Sequence, residues 1–563
     1  MSRRALVIRR DPGIALALLV SCVPTLVGCE GFADPGPAGP RGGAEGRAVA
    51  ITPGPPVFPR LTASQYTTAV LDVLGPGLPR VALEQDTNPY LFFSIGAAST
   101  SLSELGAQQY EEAAHRIASS VFDDPTRREA LVGCAPASAG DACARAFLED
   151  VGTRLFRCPL ASDEVDRWAA IAAELSEGDV WRGLRLALAG MLQSPRFLYR
   201  IELGEPDPER PGELRYTDVE MASRLSFLLW NAPPDEALLE AALAGELSSA
   251  EGVREHATRM IEDPRARRAV QAFFAQYFDL GRLEGLAGQR DPALYPAMTD
   301  TLARSMRTEI ELLVDDLVFR RDADVRELFR TRRTFVNDEL AVLYGVEAEG
   351  ASPIAFVPVE LPADGARAGV LTLGAFLAMN AHPTETSPTL RGKYFRERVL
   401  CELVPPPPPE VDTTLARDPS MPRTVRERLD LHRSDSVCAA CHAAIDPPGF
   451  LFEGFDSIGA ERTHDNGYPV DTSGALDDVP LTRGRDLGEL VAEDPRVSTC
   501  MVRQLYRHAA GRLEVRGEES AIVALERRFA ASGYRFVDLL IELAASDLYR
   551  RALVQHTDRE VTP

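Results

Sequence analysis

Apolar residues recur along this chain mainly at spacings of three and four, the period that lays them along one face of an α-helix. The segment Leu61-Thr62-Ala63-Ser64-Gln65-Tyr66 leads into Val70, Leu71, Val73 and Leu74 and stops at Gly75. It carries a threonine N-cap, a capping-box glutamine three residues on and a terminal glycine, and it predicts a helix of about three turns. Leu102 to Val121 keeps the same period through Leu105, Ala113, Ala114 and Ile117. A second capping box, Thr217-Asp218-Val219-Glu220, opens the run Leu225 to Trp230, which halts at Pro233-Pro234. The most strand-like stretch is short, Gly467 to Gly474. The pattern therefore predicts a mainly α, multi-domain helical architecture with a short β-ribbon near the C-terminal third.

The pattern also echoes itself. Arg157-Cys158-Pro159-Leu160 with Glu164, then Leu188 to Leu192 and Ser194 to Arg200, resembles Gly511-Arg512-Leu513 with Glu518, then Leu539 to Leu543 and Ser546 to Arg550. Two copies make a shared supersecondary unit, not a solenoid.

Composition narrows the function classes. With 563 residues, 45% of them hydrophobic, the chain is too long for one ordinary core. The formal net charge of -23 gives no basic field to offset phosphate repulsion, so nucleic acid is excluded as the main partner. Lys393 is the one lysine, so the positive charge is almost wholly arginine.

The N-terminus speaks to compartment. Arg3, Arg4, Arg9 and Arg10 precede an apolar run, Gly13 to Gly28, that is short for a bilayer span and reads as a signal peptide. The run ends in Leu26-Val27-Gly28-Cys29, which resembles a bacterial lipobox and makes Cys29 the expected lipidation site. An ordinary signal peptide with an incidental cysteine is the alternative. The Pro/Gly-rich stretch that follows reads as a tether to residue 59. The expectation is a lipid-anchored envelope protein, periplasmic or on the outer-membrane surface.

Candidate chemistry concentrates in Cys438-Ala439-Ala440-Cys441-His442, the attachment pattern of c-type haem. Two thiols three positions apart meet two haem vinyl groups, and the adjacent imidazole becomes the proximal iron ligand. Two other readings stay open: a thiol pair or disulfide, and a zinc site. Zinc needs further ligands, for which His432 and His464 are the nearest candidates. A thioredoxin-like redox pair would need a βαβ context that the pattern lacks.

Around this motif the chain resembles a known group. Leu371 to Leu377, Thr386 to Lys393, Leu400-Cys401-Glu402-Leu403, the run Pro405 to Pro409 and His432-Arg433-Ser434 lead into it. Ile445 to Phe450 and Phe452 to Gly459 follow it. With Ala222 to Trp230 and Phe335 to Gly345, these segments resemble planctomycete-type and myxobacterial secreted proteins of unknown function, which string several uncharacterised domains around a cytochrome-c-like CxxCH. The leader gives a signal peptide over 1–28 and a tether over 29–59, and the resemblance, which covers most of residues 60 to 555, implies an N-terminal helical domain over 60–145. A helical module over 146–205, a central helical domain over 214–346, a cytochrome-c-like domain over 362–475 and a C-terminal helical module over 480–555 follow. Cys158 stands where the group more often has arginine, and Ile445 where a methionine often follows the motif.

A sixth iron ligand must come from elsewhere in the chain. Met501, about sixty residues downstream, is the first candidate; His464, His382 and Met421 compete, and a five-coordinate iron is also open. His432, in the block leading into the motif, reads as structural. Asp446, Glu453, Asp456 and Arg462 form an acidic cluster closed by an arginine, read as caps and a buried Asp–Arg pair rather than as support for haem propionates or a cation. Pro405 to Pro409 reads as a stiff spacer. Neither a nucleophile elbow, a zinc-protease motif nor a phosphate loop is present.

The nine cysteines then fall into place. Cys22 leaves with the signal peptide, Cys134 and Cys143 are expected to close a short loop as a disulfide, and Cys401 and Cys500 to staple the last two domains. Cys158 is left over. The functional expectation is one covalent haem c in an electron-transfer module serving a redox protein partner. A surface binding or scaffolding lipoprotein with a structural CxxCH is the alternative.

Overall fold

A computed structural model describes residues 52–406, 423–434 and 436–553. The signal peptide, Cys29, Met421 and most of the Pro405–Pro409 run lie outside the described residues.

The fold is mainly α, with helices throughout and strands of two to four residues in small separate sheets. The helices begin where local chemistry dictates. Thr62 caps Ala63–Leu74, with Gln65 closing the capping box, and Thr217 and Glu220 do the same for Asp218–Leu229. The period-reading helix from Leu102 runs as Glu104–Phe122 behind the N-cap Ser103. No described helix is long and apolar enough to cross a membrane.

Strand pairing is more dispersed than a single ribbon. The expected region holds two hairpins, His464–Asp465 with Tyr468–Pro469 and Gly474–Leu476 with Val479–Leu481. Arg333–Val336 also pairs with Val357–Glu360, and Glu213–Arg215 lies between Glu205–Pro206 and Arg551–Leu553. These strands are too short to carry an alternating pattern, which is why periodicity missed them.

The two echoing segments share one architecture. A long helix, Ala142–Phe156 or Pro495–Ala510, ends at a left-handed residue, Arg157 or Gly511. A glutamate then reaches back to a backbone N–H three residues earlier, Glu164 to Ala161 and Glu518 to Val515. Two more helices follow, Ser162–Leu175 with Val180–Gln193 and Glu519–Ala531 with Phe536–Ala545. A one-turn helix after Ser194 or Ser546 closes each unit.

Two large apolar cores hold these parts together, with a third of three residues beside the CxxCH helix. One large core is built almost wholly from residues 61–198; the other joins Phe92 and Ile95 to residues from Tyr216 to Ala552. The end of the expected tether belongs to the folded body. Pro53, Gly54 and Pro59 are buried, Gly54 N donates to Glu518 Oε1 at 2.7 Å, and Leu553 N donates to Gly54 O. A Pro/Gly stretch builds no core of its own, but its backbone groups can bond to a neighbour's.

Both expected disulfides are present: Cys134 with Cys143, Cα atoms 6.0 Å apart, and Cys401 with Cys500, 5.3 Å apart. Among the described cysteines Cys158, Cys438 and Cys441 carry free thiols.

A buried carboxyl ties the central helices to the segment that precedes the CxxCH. Glu309 Oε1 accepts from Thr334 Oγ1 and Oε2 from the Tyr344 hydroxyl, both at 2.6 Å. That hydroxyl in turn accepts from Gly374 N at 2.9 Å, which opens the helix Gly374–Met379. Burial pushes the Glu309 carboxyl up to about 7, against the hydrogen bonds and the Arg367 charge that favour its ionised form. Its folded value therefore exceeds its unfolded value, and the folded chain binds more protons between about pH 4.5 and about pH 7. Stability falls as pH rises through that window. Urea midpoints should drop further between about pH 5 and about pH 8 for the natural chain than for Glu309→Gln; equal drops would remove this assignment.

Candidate functional site

The CxxCH lies on the first turns of the helix Ser436–Phe450. Sequence alone would end this helix early. Asp446 precedes a proline and is disfavoured in the α region, and Pro447 and Pro448 each remove a backbone donor, at a cost of about 3 kcal/mol for an interior proline. The helix nevertheless continues to Phe450. The carbonyl that Pro448 leaves without a helical donor, Ala444 O, accepts instead from Arg396 Nε at 3.0 Å. Arg396 is held in turn by Glu402 and Asp477. It sits on a π-turn, Phe395–Val399, that continues the helix Pro388–Tyr394.

That second helix fixes the position of the first. A Cβ on Gly392 would overlap the Ile445 carbonyl, and a Cβ on Gly449 would overlap the Pro388 carbonyl. The two backbones are in contact at both ends of the crossing, which only glycine allows. Thr389, one turn along, donates from Oγ1 to Asp446 Oδ1 at 2.8 Å.

Asp446 is the link to the motif. Its side chain is fully buried, and its Oδ2 lies 2.9 Å from His442 Nδ1. A carboxylate accepts, so Nδ1 carries the proton and Nε2 keeps its lone pair for a ligand. The His442 side chain is 19% exposed, and Cys438 and Cys441 are half-buried on the same turns with unpaired thiols. Donor set, tautomer and access fit a covalent haem. Among the described residues no group of three or more His, Cys, Asp or Glu side chains is arranged to hold a metal ion directly.

The acidic cluster divides into two. Asp456 Oδ1 accepts from the backbone of Ile458 and Ala460, a loop cap. Glu453 is buried between Thr386, Arg462 at 2.9 Å and Arg391 at 3.5 Å. Arg391 is itself fully buried and donates to the carbonyls of Leu377, Phe452, Phe455 and Asp456, and burial pulls its guanidinium down to about 10. For these residues the structural reading holds in kind, with one change: the buried partner of Arg462 within the cluster is Glu453, not an aspartate. Asp446 departs from it, because its partner is His442.

The candidate sixth ligands are scattered. Met501 is fully buried in the main core, next in sequence to Cys500 of the Cys401–Cys500 disulfide. His464 lies exposed on a two-residue strand and bonds its neighbour Thr463. His382 sits in the loop bridged by Ala381 and Thr386, its backbone N bonded to Glu385 O. His432 alone among them is placed beside His442. Cys158 lies far from the motif in sequence, its Sγ accepting from Arg196 at 2.9 Å.

Sequence reasoning missed Thr389, Gly392, Arg396 and Gly449, whose roles exist only between helices. The Asp446 partnership left a signal: positions 442 and 446 are four apart, one helical turn, obscured by the prolines that follow.

Five family models match the chain in tandem, each described as a protein of unknown function. They are DUF1587 over residues 60–123, DUF1595 over 143–202, DUF1592 over 216–346, DUF1588 over 367–465 and DUF1585 over 483–549. The chain is a multi-domain protein of unknown function. The model over 367–465, which contains the helix pair and the CxxCH, bears the name PSCyt3. No curated protein and no solved structure matches the chain.

The glycine crossing makes a direct prediction. Gly392→Ala should lose about 1–3 kcal/mol in urea denaturation, because the Ile445 backbone has to move. Gly281→Ala, at a site open to solvent, is the control and should change little. Equal stability of the two variants would show that the helices are not in backbone contact.

Proposed function

We propose that this protein is a lipid-anchored envelope protein carrying one covalent haem c, an electron-transfer module of an extracytoplasmic redox system. The observation that carries the reading is the His442–Asp446 pair on a helix whose preceding turn bears two unpaired thiols. The cytochrome-like name of the model matched by residues 367–465 supports it, as do the lipobox-like Cys29 and the basic, then apolar, leader.

Each residue has a definite task. The Cys438 and Cys441 thiols would hold the haem, each by addition across one vinyl C=C with sulfur going to one carbon and the proton to the other. His442 would ligate the iron through Nε2. Asp446, steadied by Thr389, holds the Nδ1 proton, orients the ring and makes it a stronger electron donor. Bound haem supplies a one-electron iron couple. Partial exposure of the motif leaves the site open to a partner protein, and the net charge of -23 favours a partner with a basic docking face.

Expression with a working cytochrome c maturation system tests the reading. The denatured protein should retain haem stain, give a pyridine haemochrome of one haem per chain and titrate a single thiol, Cys158. Three titratable thiols with no haem would overturn it, and stoichiometric zinc in place of haem would favour the scaffolding alternative.

Asp446→Asn keeps the shape but withdraws the negative charge. Its haem should show a higher reduction potential in a redox titration than the natural protein. An unchanged potential would reduce Asp446 to a packing residue.

A further inference from the structure

We infer that His432 is the second axial ligand of the iron that His442 binds, giving a bis-histidine centre. The inference rests on the haem reading and extends it to a residue that the sequence pattern treats as structural.

The geometry points there on three grounds. First, the His432 and His442 rings lie with centroids 5.0 Å apart and planes at 70°. In a bis-histidine haem each ligating nitrogen lies about 2 Å from the iron and the ring centres stand about 6 Å apart with the macrocycle between them, so these two rings start near that separation and must turn and part to admit it. Second, His442 spends its Nδ1 on Asp446, whereas neither ring nitrogen of His432 takes a hydrogen bond from any described residue. An imidazole without partners beside a ligating imidazole keeps both coordination modes available. Third, the surroundings leave apolar surface uncovered. Leu431, next to His432, is 57% exposed, and Ala443 and Ala444, following His442, are exposed.

The apolar contact between the helix bearing His432 and the CxxCH helix is small. Val425–His432 touches the CxxCH helix through a core of only three residues, Val425, Leu429 and Phe450, with Arg426 over the Phe450 ring at 4.4 Å. Its far end is pinned: Val425 N donates to Asp465 Oδ2 at 2.7 Å, and Arg426 pairs with Asp471 at 3.3 Å. Further along, Arg428 pairs with Glu385, Leu429 belongs to the small core, and Arg433 lies over the Phe450 ring at 6.0 Å and pairs with Asp430 of its own helix. So small an apolar interface leaves the His432 ring able to turn while these contacts hold the helix in register.

Electron paramagnetic resonance of the ferric full-length protein tests the assignment independently of any activity. The natural protein should show a low-spin signal and, in its absorption spectrum, no methionine–iron charge-transfer band. His432→Ala should convert the iron to high spin, with low spin restored by added imidazole, while Met501→Ala should leave the signal unchanged. His432→Met offers a second route if the alanine variant fails to fold, and should bring in the methionine–iron band. A low-spin signal that survives His432→Ala, or disappears in Met501→Ala, would overturn the assignment. Absence of covalent haem from the natural protein would instead overturn the haem reading itself, a different result read from the same preparation.

Discussion

The candidate site depends on one close contact, the crossing of Pro388–Tyr394 over Ser436–Phe450 at Gly392 and Gly449. Helix axes usually stand 8–10 Å apart because side chains keep them there. Removing the Cβ atoms at this crossing brings one backbone against the other, and everything in the site follows from that proximity. Thr389 reaches Asp446, Asp446 reaches His442, and Arg396 reaches the carbonyl that Pro448 orphans. A helix with two interior prolines would be a poor platform by itself. Against its glycine-bearing neighbour it becomes a defined one.

Buried charge does the same organising work around this crossing. Arg391 is wholly enclosed, and its cost is offset by four carbonyls and the Glu453 carboxylate. It gathers the loop after the CxxCH helix and the end of Gly374–Met379 onto one guanidinium. Glu309 acts from the other side, reaching the start of Gly374–Met379 through Tyr344. The segment carrying the motif is thus fastened to the central helices by directional polar contacts as well as by apolar packing. Such contacts define a geometry more sharply than apolar burial does.

Much of this was legible in residue order. The capping boxes at Thr62 and Thr217 marked helix starts to the residue, and the echo between residues 157–200 and 511–550 foretold two units of the same construction. The two disulfide pairings expected from cysteine placement are both present. The short strands were not legible, since two to four residues carry no periodicity. Nor was the docking of residues 52–59, whose Pro/Gly composition says only that they build no core of their own.

What the sequence by itself determined is local: which segments are helical, where they start, and that two thiols and an imidazole stand together at positions 438, 441 and 442. Those properties depend on neighbours within about one turn, which residue order specifies directly. The tertiary structure decided which partners those groups meet. It moved Asp446 from a loop cluster to the imidazole, buried Met501 in the apolar core and set His432 against His442. These choices come from the packing of helices distant in sequence, where a missing Cβ at Gly392 outweighs any local preference. No pattern within a single segment records that.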